Sequence, residues 1–158
     1  PNADNEHYWD EYYEKNSSQP DVIADVHRKV NENINESVRN KSFKCDKKLV
    51  NKLERFCALT GFTRADVLLT AYQILIEKYC QHDGFPIAVP FQGRTRYADR
   101  NTIGMFVRVL PVVYNNNGTV RDILLENQNT LSGHQEHQIS DLFFRKDKKY
   151  HDLKKYLN

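Results

Sequence analysis

Apolar residues recur at helical spacing over the first half of the chain, condense into strand-like runs between residues 86 and 114, and return to helical spacing after 119. Asp4 to Lys15 reads as a helix, capped by Asp4, with Tyr8, Trp9, Tyr12 and Tyr13 on an aromatic face. Asn16 to Pro20 is a turn, Asp21 to Val30 reads equally as a short helix or as extended chain, and Asn31 to Asn40 reads as a loop running into a strand near Ser37 to Cys45. Asp46 to Ala58 is a helix with Asp46 as its cap and Leu49, Val50, Leu53, Phe56 and Cys57 in one stripe, and Gly61 stops it. Thr63 and Asp66 form a capping box for the next helix, Ala65 to Cys80, in which Asp66, Thr70, Gln73 and Glu77 make a narrow polar stripe. So apolar a helix is expected to be buried over most of its circumference and covered on two sides. Two strands follow, Pro86 to Phe91 and Met105 to Tyr114, around the loop Gln92 to Thr102 with its three arginines. After the turn Asn115 to Gly118, Thr119 and Asp122 cap a last helix that turns Val120, Ile123, Leu124 and Leu131 toward the core.

Composition narrows the class without naming a partner. With 158 residues, 39% hydrophobic and 28% charged, the chain suits a single domain over 1–158. A net charge of +2, spread along the chain, gives no argument for nucleic acid. The aromatic face of the first helix lacks interleaved basic residues, so it reads as packing rather than a base-stacking platform. Cys45, Cys57 and Cys80 lack metal-ligand spacing and read as reduced residues of a cytoplasmic protein. No apolar run approaches the roughly 20 residues a membrane span needs, and no signal peptide is expected. The basic tail, 143–158, reads as a solvated terminal helix. No His-Glu-x-x-His, Cys-x-x-Cys, Gly-x-Ser-x-Gly or phosphate-binding loop is present. His134 and His137 could share a helix face as metal ligands, but with no third ligand they read as surface histidines at a helix end, and no metal site is assigned.

Several segments carry a resemblance. Pro90-Phe91-Gln92-Gly93-Arg94, Ile103-Gly104-Met105-Phe106-Val107 and Leu110-Pro111 resemble the second lobe of nonribosomal peptide synthetase condensation domains. That lobe has a Gly-Arg followed by an Ile-Gly-x-Phe-Val-Asn-Thr-Leu-Pro strand. Tyr8-Trp9, the Gly61-Phe62-Thr63 turn, Leu68-Leu69-Thr70-Ala71-Tyr72, and His134-Gln135 with Asp141-Leu142 match further family segments. Arg108 and Val109 depart from the pattern, standing where Asn and Thr are usual, and the tail beyond residue 142 departs as well.

The resemblance implies an α/β (α+β) fold, a chloramphenicol-acetyltransferase-like two-layer sandwich of a mixed sheet covered by helices. It implies the C-terminal lobe of a domain that forms amide bonds between carrier-bound substrates. No cofactor is expected on the chain itself. The implied partners are an N-terminal lobe and peptidyl or aminoacyl carrier proteins bearing phosphopantetheine, and self-association of the lone lobe is a further expectation. The family's His-His-x-x-x-Asp-Gly motif belongs to the other lobe and this chain has no adjacent histidines, so no catalytic residue is assigned. Gly93, Arg94, Gly104, Phe106, Arg108 and Pro111 are the candidates for a substrate channel or lobe interface. For Arg108, flanked along its strand face by Phe106 and Leu110, two placements are acceptable: a wet channel between lobes, or an ion pair with Asp66 or Glu77. Two other readings remain, a noncatalytic carrier-protein docking module and an acyltransferase of the same fold using a coenzyme A thioester.

Overall fold

The computed structural model describes residues 3–16, 42–80, 84–94, 97, 101–116 and 118–138. Among the described residues, four helices and two strands follow in the order α1 (Ala3–Asn16), α2 (Lys47–Thr60), α3 (Arg64–Cys80), β1 (Phe85–Phe91), β2 (Arg108–Tyr114) and α4 (Val120–Glu136). The expected segments 21–40 and 143–158 lie outside the described residues, as does most of the strand expected near Ser37 to Cys45, of which residues 42–45 are irregular.

The strands pair antiparallel, from Phe85 opposite Tyr114 to Phe91 opposite Arg108. A mixed sheet was expected; among the described residues the sheet is this antiparallel pair. The register puts Phe85, Ile87, Val89 and Phe91 on one face with Leu110, Val112 and Tyr114. That face carries two apolar clusters. Trp9, Phe91, Leu110 and Val112 form the first, joined by Tyr8, Tyr12, Leu69 and Leu131. Phe85, Tyr114 and Ile123 form the second, joined by Ile74 and Ile76.

The outer edge of β2 is covered. On β2, the Val113 N–H donates to the Tyr12 hydroxyl at 2.9 Å and the Pro111 carbonyl accepts from His134 Nε2 at 2.8 Å, so alternate backbone groups point away from β1. The residues facing them in register are Pro86, Ala88 and Pro90, whose backbone groups therefore point out of the other edge. Two of the three have no N–H to offer, which is where proline is tolerated in a sheet.

Caps behave largely as their chemistry dictates. Gly61 ends α2 in the left-handed region (φ 80°) and donates to the Cys57 carbonyl. The Thr63–Asp66 and Thr119–Asp122 capping boxes are both formed. Asp46 stands at the N-cap of α2 with extended backbone, but its side chain makes no capping bond.

The expectation for α3 is reversed. Its polar stripe points inward: Asp66, Thr70 and Gln73 are buried, while Leu68, Tyr72, Leu75 and Tyr79 on the opposite side are exposed. The cause is the partner helix. Asn127 of α4 is buried against that stripe and its Nδ2 donates to Thr70 Oγ1 (2.7 Å) and Gln73 Oε1 (2.6 Å), and Glu77 accepts from the Tyr114 hydroxyl at 2.8 Å. Asn127 thus satisfies Thr70 and the Gln73 amide oxygen, while among the described residues Gln73 Nε2 is buried without a partner, so the inward polar stripe is only partly compensated. The apolar stripe of α2 is likewise uncovered: the helix has no buried residue, and Leu49 and Phe56 border a groove of about 370 Å³ shared with Val67, Ile74 and Leu124. Val120, expected in the core, is exposed at the start of α4.

Candidate functional site

The loop between the strands is organised by one side chain. Arg94 follows the end of β1; its Nη1 donates to the Thr102 carbonyl at 2.7 Å and its Nη2 to the Gly104 carbonyl at 3.1 Å. Its guanidinium carbon lies 4.1 Å from the centre of the Phe106 ring, a cation–π contact on the same few residues. Gly93 makes the approach possible. A Cβ there would stand 1.8 Å from the Phe106 carbonyl oxygen, so no other residue fits without displacing the backbone. Gly93, Arg94, Gly104 and Phe106 thus meet around a pocket of about 380 Å³, also lined by Met105 and Val107.

The other two candidates lie elsewhere. Arg108 opens β2, half-buried, opposite Phe91 and on the face of Leu110, as strand alternation requires. Neither proposed carboxylate reaches it: Asp66 is held by the Thr63 N–H and hydroxyl, and Glu77 by Tyr114 and Asn116. Pro111 is buried in the middle of β2, and its carbonyl serves His134. The strand starts three residues later than its apolar run suggests. Ile103 and Met105 are almost wholly exposed and Val107 half so, because β1 has ended and among the described residues no strand pairs with them.

His134 corrects both earlier readings, surface residue and metal ligand. It is fully buried at the end of α4 between the Tyr8 hydroxyl (2.7 Å from Nδ1) and the Pro111 carbonyl (2.8 Å from Nε2). A carbonyl only accepts, so Nε2 carries the proton and Nδ1 accepts from Tyr8. Burial pushes the imidazole down to about 4, and His137 adds a smaller effect in the same direction, so the ring is neutral at ordinary pH. Tyr8 is pushed up to about 12, by burial first and by Glu136 second. His137 stacks on Tyr8 at 4.3 Å, its Nδ1 donates to the Gly133 carbonyl, and its own carbonyl accepts from Trp9 Nε1 at 2.7 Å. Both histidines are spent on docking α1 against α4 and β2.

A larger cavity of about 510 Å³, not anticipated in the sequence, lies between α3, the end of β1 and α4. Leu69, Phe91 and Leu131 supply its apolar lining, and Gln128, Gln135 and Glu136 its polar lining. It lies beside the loop, because Gln135 and Gln138 of the α4 end both donate to the Gln92 carbonyl (3.2 and 3.1 Å) just ahead of Gly93.

Residues 2–143 match the condensation domain family. The chain belongs to that family. It is 34% identical over 85 residues to gramicidin S synthase 2 of Brevibacillus brevis, 33% over 104 residues to tyrocidine synthase 3 of Brevibacillus parabrevis, and 37% over 68 residues to bacitracin synthase 3 of Bacillus licheniformis. These alignments cover 52%, 63% and 43% of this chain and 2%, 2% and 1% of the relatives, so the condensation domain chain spans a small fraction of those synthetases. No solved structure matches it. The resemblance read from separate motifs therefore stands, and the geometry gives it a physical basis. Gly93-Arg94 and Ile103-Gly104-Met105-Phe106, separated in sequence, are joined in this condensation domain by the Arg94 side chain.

Proposed function

We propose that the chain is the C-terminal lobe of a nonribosomal peptide synthetase condensation domain, contributing one wall of the site where an amide bond forms between carrier-bound substrates. The reading includes a chloramphenicol-acetyltransferase-like sandwich completed by further elements. Its partners are an N-terminal lobe and carrier proteins whose phosphopantetheine arms deliver the substrates. The observation that carries it is the family match over residues 2–143 together with a sequence that holds no adjacent histidines. The family's second motif His serves as a base or positions the attacking amine, and proton transfer by a positioned base contributes roughly 100-fold to 10,000-fold. This chain contributes instead the Arg94-braced loop and the start of β2. Arg108 supports a wet path there, since among the described residues no carboxylate pairs with it and a buried guanidinium without a partner is costly. The test is complementation. The chain joined to a lobe bearing the His-His-x-x-x-Asp-Gly motif should form amide from loaded donor and acceptor carriers in a single turnover. Failure of every such pairing, with both lobes folded, would overturn the assignment.

A further inference from the structure

We propose that Arg94 is a positioning residue: its guanidinium holds segment 102–106, with its bend at Gly104, in one conformation ahead of β2 and so fixes how the first residues of β2 face the reaction path. The part played in the reaction rests on the function proposed above; the bracing itself does not. Among the described residues segment 102–106 has no ladder partner, and Ile103 and Met105 are 101% and 90% exposed, so burial of these apolar side chains does not fix it. What does hold it is the two charge-assisted hydrogen bonds to Thr102 and Gly104, the guanidinium face on Phe106, and the Phe106 carbonyl packed where Gly93 lacks a Cβ. The base of the clamp is itself anchored, since Gln135 and Gln138 hold the Gln92 carbonyl from the end of α4. A planar fork suits two carbonyls two residues apart and an aromatic face at once, whereas a lysine offers a point charge with no planar face.

The chain contains a single methionine, Met105, within the braced segment, and a single tryptophan, Trp9, in the core. A 15N-labelled methionine therefore gives one backbone amide resonance, on the peptide whose carbonyl Arg94 holds, that reports the segment, and Trp9 emission reports the fold. Arg94→Ala and Gly93→Ala should move the Met105 resonance toward its random-coil position while Trp9 emission stays unchanged, and Arg94→Lys should not restore it. In the two-lobe enzyme, Arg94→Ala should lower kcat by about 100-fold, the scale of a 1 Å misplacement, with KM for the loaded carriers changed much less. An unmoved Met105 resonance in Arg94→Ala overturns the bracing. A moved resonance with an unchanged kcat overturns the positioning role, and full rescue by lysine overturns the fork geometry. If the unaltered two-lobe enzyme forms no amide, the proposed function fails, and the Met105 resonance still decides the bracing.

Discussion

His134 shows how much a single side chain can carry. It ties α1, through Tyr8, to the outer edge of β2, through Pro111, and it is packed within a cage of Trp9, Tyr12 and Phe91. Because its folded pKa lies below the ordinary 6.5, at about 4, the unfolded chain takes up the proton first as pH falls. Its contribution is complete above pH 6.5 and is lost progressively down to about pH 4, amounting to about 3 kcal/mol at about 1.4 kcal/mol per pH unit. Urea unfolding at pH 7 and pH 4.5, compared with the same pair for His134→Asn, measures it: the wild type should lose more stability than the variant, and equal losses would contradict the burial described. The residue was legible in part. It falls three positions after Leu131 on the inward stripe of α4, and a buried Trp–Tyr cluster needs hydrogen-bond partners for its N–H and hydroxyls. What the sequence could not supply was α1, more than 120 positions away, as the element that closes over it.

At the scale of elements, helices were legible and their faces were not. The capping boxes of α3 and α4 and the glycine stop of α2 follow from local chemistry, and all three are formed. Which side of α3 faces in was set instead by Asn127, a residue on another helix that turns a polar stripe into a buried network. Periodicity locates a stripe but cannot say whether a matching partner awaits it. The start of β2 was misjudged for a related reason, since Met105 to Val107 have strand-forming side chains but β1 ends too early to pair with them. The reversal leaves Leu68, Tyr72, Leu75 and Tyr79 as a row of large exposed side chains, a kind of surface that seldom stays bare. The isolated chain should therefore associate with itself as concentration rises. Leu68→Lys with Leu75→Lys should shift sedimentation toward the monomer without loss of helix content, and a wild type that stays monomeric at every concentration would show that this face needs no cover.

For the whole molecule, the sequence motifs located the family and the two strands around the loop, but neither their antiparallel pairing nor how the candidate residues divide. Gly93, Arg94, Gly104 and Phe106 form one unit, Arg108 stands beside it, and Pro111 belongs to the core. That division follows from the loop path, which depends on a glycine contact and a guanidinium clamp across ten residues. The sheet edges add a constraint on assembly. Tyr12 and His134 occupy the β2 edge, and the prolines leave β1 with outward carbonyls and a single outward N–H, at Ala88, so among the described residues a further strand is best accommodated on the β1 side. The central claim is that the chain is half of an amide-forming site, supplying a wall without the proton-transfer group. It is tested most directly by incubating the chain alone with loaded donor and acceptor carrier proteins and measuring amide product in a single turnover. The account predicts product at the uncatalysed background; amide formed above that background by this chain alone would contradict it.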